Sequence, residues 1–153
     1  MLARQPQTTE IQSQTLAMQT LYDRLGGRDC LALVHKRLYD KIFNHPVLGV
    51  FFAGKNRQHQ EDQQSDYMAD QFGGPRIYGG RVPRDAHQHL FITEEHFELR
   101  ATLLEETLVE CGVAAEAREQ WMTIDRGFKR HIVKKSIHEC EKRYKNDEII
   151  SAP

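Results

Sequence analysis

Leu31, Val34, Leu38 and Ile42 recur every three or four residues, the spacing that puts them on one face of a helix. The pattern predicts a helix from Asp29, stopped by Asn44 and Pro46. Upstream, Thr20 followed by Asp23 has the form of a capping box, and Gly26-Gly27 ends the short helix it starts. Downstream, residues 56–72 form a third, very polar helical candidate. It carries five glutamines between Gln58 and Gln71, with Tyr67, Met68 and Phe72 as its apolar edge. Gly73-Gly74-Pro75 breaks the chain, and a polar loop with Gly79-Gly80 and Pro83 follows. Thr93 is placed to cap the next helix, with Glu94 and Glu95 at its positive end. Phe97, Leu104, Leu108 and Cys111 line one face of that helix and Gly112 closes it. A final helix is expected over 115–143, with Trp121, Ile124, Phe128 and Ile132 as its buried stripe and Lys129, Lys134 and Lys135 towards its negative end.

No strand alternation and no internal repeat is visible. The pattern predicts one all-α domain over 20–145. Residues 1–19, rich in Gln, Thr and Ser, read as a flexible tail, and 146–153 as a frayed one. The length of 153 residues suits a single core, and the net charge of −1 gives no nucleic-acid footprint and no basic membrane-binding face. No apolar run approaches the roughly 20 residues that cross a bilayer. The opening segment lacks the apolar stretch of a signal peptide. The expectation is a soluble, cytoplasmic protein. Cys30, Cys111 and Cys140 are widely spaced with no CxxC, so they read as buried or half-buried thiols.

Chemistry concentrates in RDAHQHLFITEEHFELR, residues 84–100, which holds His87, His89 and His96. None of the eight histidines has Glu or Asp three residues before it, and HExxH is absent. A carboxylate-bridged metal site in a helical bundle is therefore unsupported. What remains is a cofactor that needs one strong nitrogen ligand in an otherwise apolar slot. Haem fits that description. From the residues alone, any one of these histidines reads equally well as a surface or core residue.

The running order adds to this. LYDRLGG, HPVLGVFF, FGGP and AHQHLFITEEHF, spread over residues 20–128, agree in type and spacing with the truncated haemoglobins, and the chain most resembles their group I. The resemblance implies a truncated globin fold, a two-over-two helical sandwich enclosing haem b (iron protoporphyrin IX). The Gly26-Gly27 and Gly73-Gly74 pairs would let the shortened chain turn. It implies His87 as the proximal iron ligand, five residues before Ile92. His89 would point elsewhere, and His96 would be structural or surface-facing. It implies Tyr39, Gln60 and Gln64 as distal hydrogen-bonding groups, with Gln63 and His59 next in line. Phe52 would pack on the porphyrin and Phe51 in the core.

Arg100 departs from the family, which has an apolar residue there, or a tryptophan in its other groups. Two readings stand: the side chain snorkels outward, or its guanidinium reaches the distal pocket, a propionate or a bound anion. His131 reads as a surface residue. Lys55, Arg57, Arg81 and Arg84 are candidates for pairing propionates or for plain surface charge. The implied function is reversible binding of O2, NO or CO, in oxygen binding or transport or in NO detoxification. The latter requires an external reductase, because no flavin or nicotinamide motif is present. The alternative is a haem-based gas sensor in which ligation moves the N-terminal tail or the last helix against a partner.

Overall fold

The computed structural model describes residues 19–153. The tail expected over 1–19 lies outside the described residues except for its last position. The short helix α1, Leu21–Leu25, starts on the expected cap: Thr20 Oγ1 accepts the Asp23 N–H at 3.1 Å, and the Asp23 carboxylate accepts the Thr20 N–H at 3.4 Å. Gly26 then takes a left-handed φ of 94° and ends it.

Helix α2, Arg28–Phe43, buries Leu31, Val34, Leu38, Tyr39 and Ile42, the predicted stripe with one added aromatic. Helix α3, Arg57–Gln71, is capped by Asn56 and packs on α2. After the loop come α4, Pro83–His87, and α5, Glu94–Glu110, the latter capped by Thr93. Helix α6, Ala115–Arg126, packs on α5, which itself packs on α2. The architecture is thus an α2/α3 pair laid on an α5/α6 pair, the all-α two-over-two globin sandwich.

The two glycine pairs meet at one side chain. The Tyr22 N–H donates to the Phe72 carbonyl at 3.0 Å, which brings the start of α1 against the end of α3. A Cβ on Gly74 would lie 2.6 Å from Tyr22 Cγ, and one on Gly27 3.6 Å from Tyr22 Cε1. Contact at 2.6 Å leaves no room for any side chain at position 74.

The C-terminal part differs from the sequence reading. No single helix spans 115–143. α6 stops at Arg126, the chain turns at Gly127, and a short α7, Lys129–Ile132, precedes extended backbone at Val133. A 3-10 turn, Ile137–Glu139, follows. The physical reason is competition for partners. Lys134 N–H donates to the Ile92 carbonyl at 2.9 Å and Glu141 N–H to the Gln88 carbonyl at 2.8 Å, so the backbone bonds that would extend a helix go to the 88–92 segment instead. Nor is 146–153 frayed. Ile150–Ser151 (β2) pairs in parallel with Leu90–Phe91 (β1), an element with too few residues to leave an alternating pattern in the sequence. No helix among the described residues is long and apolar enough to cross a membrane.

At the centre of the core, His35 is 1% exposed, its Nδ1 lies 2.7 Å from Ser65 Oγ, and its ring meets Trp121 edge-on at 5.7 Å. Burial, with the Arg100 and Arg28 charges adding to it, pushes this imidazole down to about 3. The unfolded chain takes up a proton below about 6.5, whereas the folded chain holds the ring neutral down to about 3. The stability tied to the neutral ring is therefore complete above pH 6.5 and is lost as pH falls towards 3. We expect His35→Gln to flatten the fall in unfolding free energy of the cofactor-free protein between pH 6.5 and 4 by about 1.4 kcal/mol per pH unit, the slope of one proton. Urea denaturation at successive pH values measures it, and parallel wild-type and variant curves would contradict it.

Candidate functional site

A cavity of about 520 Å³ opens between α2, α3, the α4–β1 loop, α5 and α6, a size common for small-molecule sites. Among the described residues, no three His, Cys, Asp or Glu side chains converge as a cage for a bare metal ion. By area the wall is mostly apolar, with polar side chains reaching it from every surrounding element.

On one side lies His87, at the end of α4. Pro83 opens this helix, where its missing N–H costs nothing, and its carbonyl lies one turn below the His87 side chain. His87 Nδ1 is 2.6 Å from the Pro83 oxygen. A carbonyl only accepts, so the proton is on Nδ1, and Nε2 is left as a lone pair on a ring that lines the cavity. Burial pushes this imidazole down to about 4, so it is neutral at pH 7, the form that ligates metals.

His89 also lines the cavity and is likewise pushed down to about 4 by burial, but no carbonyl holds its Nδ1. It is 2% exposed and both of its ring nitrogens are buried without a partner. His96 is buried and structural: its Nδ1 accepts the Thr93 N–H at 3.2 Å and its ring meets Phe51 edge-on at 5.4 Å. His131 is exposed.

Tyr39, buried in α2, brings its ring edge-on to Phe52 at 5.6 Å, and both line the cavity. The Tyr39 hydroxyl has no hydrogen-bond partner among the described residues. Burial pushes its proton affinity up to about 12, so at neutral pH it is a donor. Gln60 and Gln64, one turn apart on α3, both line the cavity, as do Gln63 and His59. The four-residue spacing puts the two expected glutamines on one face.

Arg100 does not snorkel away. Its Nη1 donates to both oxygens of buried Asp125, at 3.0 and 2.9 Å, and both residues line the cavity. Of the four candidate propionate partners, Lys55 and Arg81 line the cavity. Arg57 is already held by Asp40, Glu61 and the Lys36 carbonyl, and Arg84 stands exposed outside the cavity.

Four features escaped the sequence reading. Asp125 carried a signal, because it falls on the stripe between Trp121 and Phe128, where an acid needs a buried partner. Tyr78, whose hydroxyl donates to the Arg81 carbonyl at 2.5 Å and whose ring meets Tyr67 at 5.0 Å, shapes the loop over the cavity. Lys134 Nζ gathers the carbonyls of His87 and Leu90 at 2.8 Å each, and that of Ile132 at 3.3 Å. Arg143, paired with Asp147, reaches the cavity wall from the C-terminal segment. The Lys134 contacts and the reach of Arg143 to the cavity depend on segments remote in sequence, and the local bonds of Tyr78 and Arg143 form no recognisable motif.

The bacterial-like globin family profile matches residues 20–134. The chain belongs to the group 1 truncated haemoglobins. It is 34% identical over 97 residues to a group 1 truncated hemoglobin GlbN of Mycolicibacterium paratuberculosis, covering 63% of this chain and 71% of the relative. It is also 34% identical over 99 residues to GlbN of Nostoc commune, covering 65% and 84%. Among solved structures it is similar to the Fe(III) form of the truncated hemoglobin from Tetrahymena pyriformis, with TM-score 0.68, 28% identity, and 76% and 100% of the two chains covered. It is likewise similar to the 2/2 hemoglobin from Synechococcus with covalently attached heme, with TM-score 0.66, 31% identity, and 74% and 94% covered. A group II truncated hemoglobin from Bacillus anthracis superposes as well, at TM-score 0.70 but 23% identity, which speaks for the shared fold alone.

In this truncated haemoglobin the residues beyond the family match, 135–153, are attached to the loop that carries His87. The Ile150 N–H donates to the His89 carbonyl at 2.9 Å, beside the Lys134 clamp on His87 and Leu90. Lys134→Met removes a half-buried cation from three carbonyls. We expect it to lower the unfolding free energy by about 1–2 kcal/mol, less than fully buried charged bonds would contribute. It should also speed amide exchange over 134–151. Urea denaturation and hydrogen exchange measure both, and unchanged exchange over that segment would contradict the clamp.

Proposed function

We propose that the cavity holds haem b on His87 Nε2 and that the protein reversibly binds O2 and other diatomic ligands, NO and CO among them. One observation carries the reading: of the four histidines on the cavity wall, His59, His87, His89 and His96, only His87 has its Nδ1–H held by a backbone carbonyl, at 2.6 Å, with Nε2 left over. Iron-ligating imidazoles almost always donate their second nitrogen in this way, which fixes both tautomer and ring plane.

Haem, when bound, supplies an iron centre with a position for one small ligand. The rest is done by this chain. Phe52 packs on the porphyrin face. The neutral Tyr39 hydroxyl and the Gln60 and Gln64 amides are donors for a ligand that carries partial negative charge. Lys55 and Arg81, exposed on the cavity wall, would pair with the propionates. Oxygen binding or transport and NO detoxification both fit these groups. For NO detoxification an external reductase supplies the electrons, since the chain has no flavin or nicotinamide motif.

A gas-sensor reading has one observation in its favour: the C-terminal segment hangs on the carbonyls of residues 87–90, so a shift of His87 would reach it. The sensor reading expects hydrogen exchange over 134–151 to differ between the ferric and the CO-bound protein. Equal exchange rejects it.

Absorption spectra of the ferric, ferrous and CO-bound forms test the main reading. The wild-type protein should show a Soret band that His87→Ala loses or shifts while His89→Ala keeps it. The reverse pattern would move the ligand to His89. Tyr39→Phe should speed O2 dissociation about tenfold or more in stopped-flow measurements, the effect of losing one hydrogen bond to a charged acceptor.

A further inference from the structure

The ionised side chains on the cavity wall are unevenly matched. Lys55, Arg81, Arg100 and Arg143 are cationic, and Asp125 is the single acid among them. Arg143 is held by Asp147 through Nε and Nη2, and Lys55 and Arg81 are exposed, so these three belong to the edge of the cavity. Arg100 is different. It sits midway along α5 between Phe97 and Leu104, on the edge of the buried face.

Its pairing is also unusual. The fork of a guanidinium normally meets a carboxylate with two nitrogens. Here a single nitrogen, Nη1, serves both Asp125 oxygens, and Nε and Nη2 have no partner among the described residues. The Asp125 side chain is 3% exposed and that of Arg100 26%. Both residues line the cavity, and Arg100 is the more open of the two. At Tyr39, burial is the largest influence, followed by the Arg100 charge, which Asp125 and Glu61 oppose.

A buried ion pair contributes little to stability compared with apolar residues of the same volume. A neutral diatomic already has Tyr39, Gln60 and Gln64 as donors and needs no full positive charge. Two guanidinium nitrogens without a partner, on a permanent cation that lines the cavity, match a small anion instead.

We propose that Arg100, backed by Asp125, forms a binding site for a small inorganic anion on the cavity side shared with Tyr39, taking monovalent anions of the azide, nitrite or fluoride class. The proposal rests on the reading that haem hangs from His87, whose ferric iron would be the anion's second anchor. Asp125 sets the strength of the site: it holds the guanidinium in place and offsets part of its charge. Its removal and the removal of the cation should therefore act in opposite directions.

The test is a titration of the ferric holoprotein with azide and with nitrite, followed in the Soret band, with CO binding to the ferrous protein as the neutral control. In Arg100→Leu/Asp125→Asn, which removes the charge without stranding a buried carboxylate, the azide Kd should rise about tenfold or more. CO affinity should stay within about twofold, since no charge is involved in it. Arg100→Lys keeps the charge and should recover most of the anion affinity. Asp125→Asn alone should tighten azide about threefold or more, the effect of unmasking part of one charge. That variant also stands as the test should the double variant fail to fold by circular dichroism. An azide Kd that stays put in these variants, or azide and CO affinities that change together, would overturn the anion site while leaving the haem reading intact. A wild-type protein that takes up no haem would overturn both.

Discussion

A single hydrogen bond, from His87 Nδ1 to the Pro83 carbonyl at 2.6 Å, decides what the cavity can hold. It converts a ring with two equivalent nitrogens into one with a committed donor and a committed lone pair. The bond is local, spanning one turn of a five-residue helix, and a helix that short has little stability of its own. Its geometry is kept from outside: Pro83 presets the backbone at one end, and Lys134 and the C-terminal strand hold the carbonyls at the other. An imidazole with this support presents the same face whether or not a cofactor is there. That is the preorganisation a ligand site needs.

The space in front of that ring exists because the chain is turned tightly elsewhere. Tyr22 lies against both glycine pairs and ties the start of α1 to the end of α3 through the Phe72 carbonyl. With α3 closed off there, the loop over 73–82 crosses the cavity instead of filling it, shaped by the Tyr67–Tyr78 contact. The core beneath is made by α2, whose buried face carries Leu31, Val34, Leu38 and Ile42, and whose Tyr39 lines the cavity. One helix thereby supplies both the rigid floor and a donor on it, so a donor with few accessible rotamers faces the ligand space.

The segment beyond the family match changes the character of the site. It contributes Arg143 to a cavity wall whose cations already outnumber its acids, and it packs around His89, whose two nitrogens stay without a partner. Against that background Arg100 is not an isolated oddity. Burial lowers the local polarity and strengthens the charges held there. The same low polarity that keeps Tyr39 protonated makes the open side of the Arg100 guanidinium attractive to an anion.

By itself the sequence determined α1, α2, α3 and α5, because these depend on short-range signals: Thr20 with Asp23, the apolar stripe of α2, the apolar edge of α3 and Thr93 before α5; the five-residue α4, too short to show a period, read as loop. Spacing did not single out Tyr39, Phe52, Gln60, Gln64 and His87; the resemblance to truncated haemoglobins did, and all five line the one cavity. What happens after residue 126 was decided only by tertiary structure. The helical stripe there was real but lost to better partners, since the 88–92 carbonyls capture the backbone of Lys134, Glu141 and Ile150, and β1 and β2 are too short to show a period. The same holds for Arg100, whose position at the edge of a helical face left its direction open. The choice fell to Asp125 on another helix, because a buried carboxylate has to be matched and only the folded chain brings the guanidinium within 3.0 Å of it.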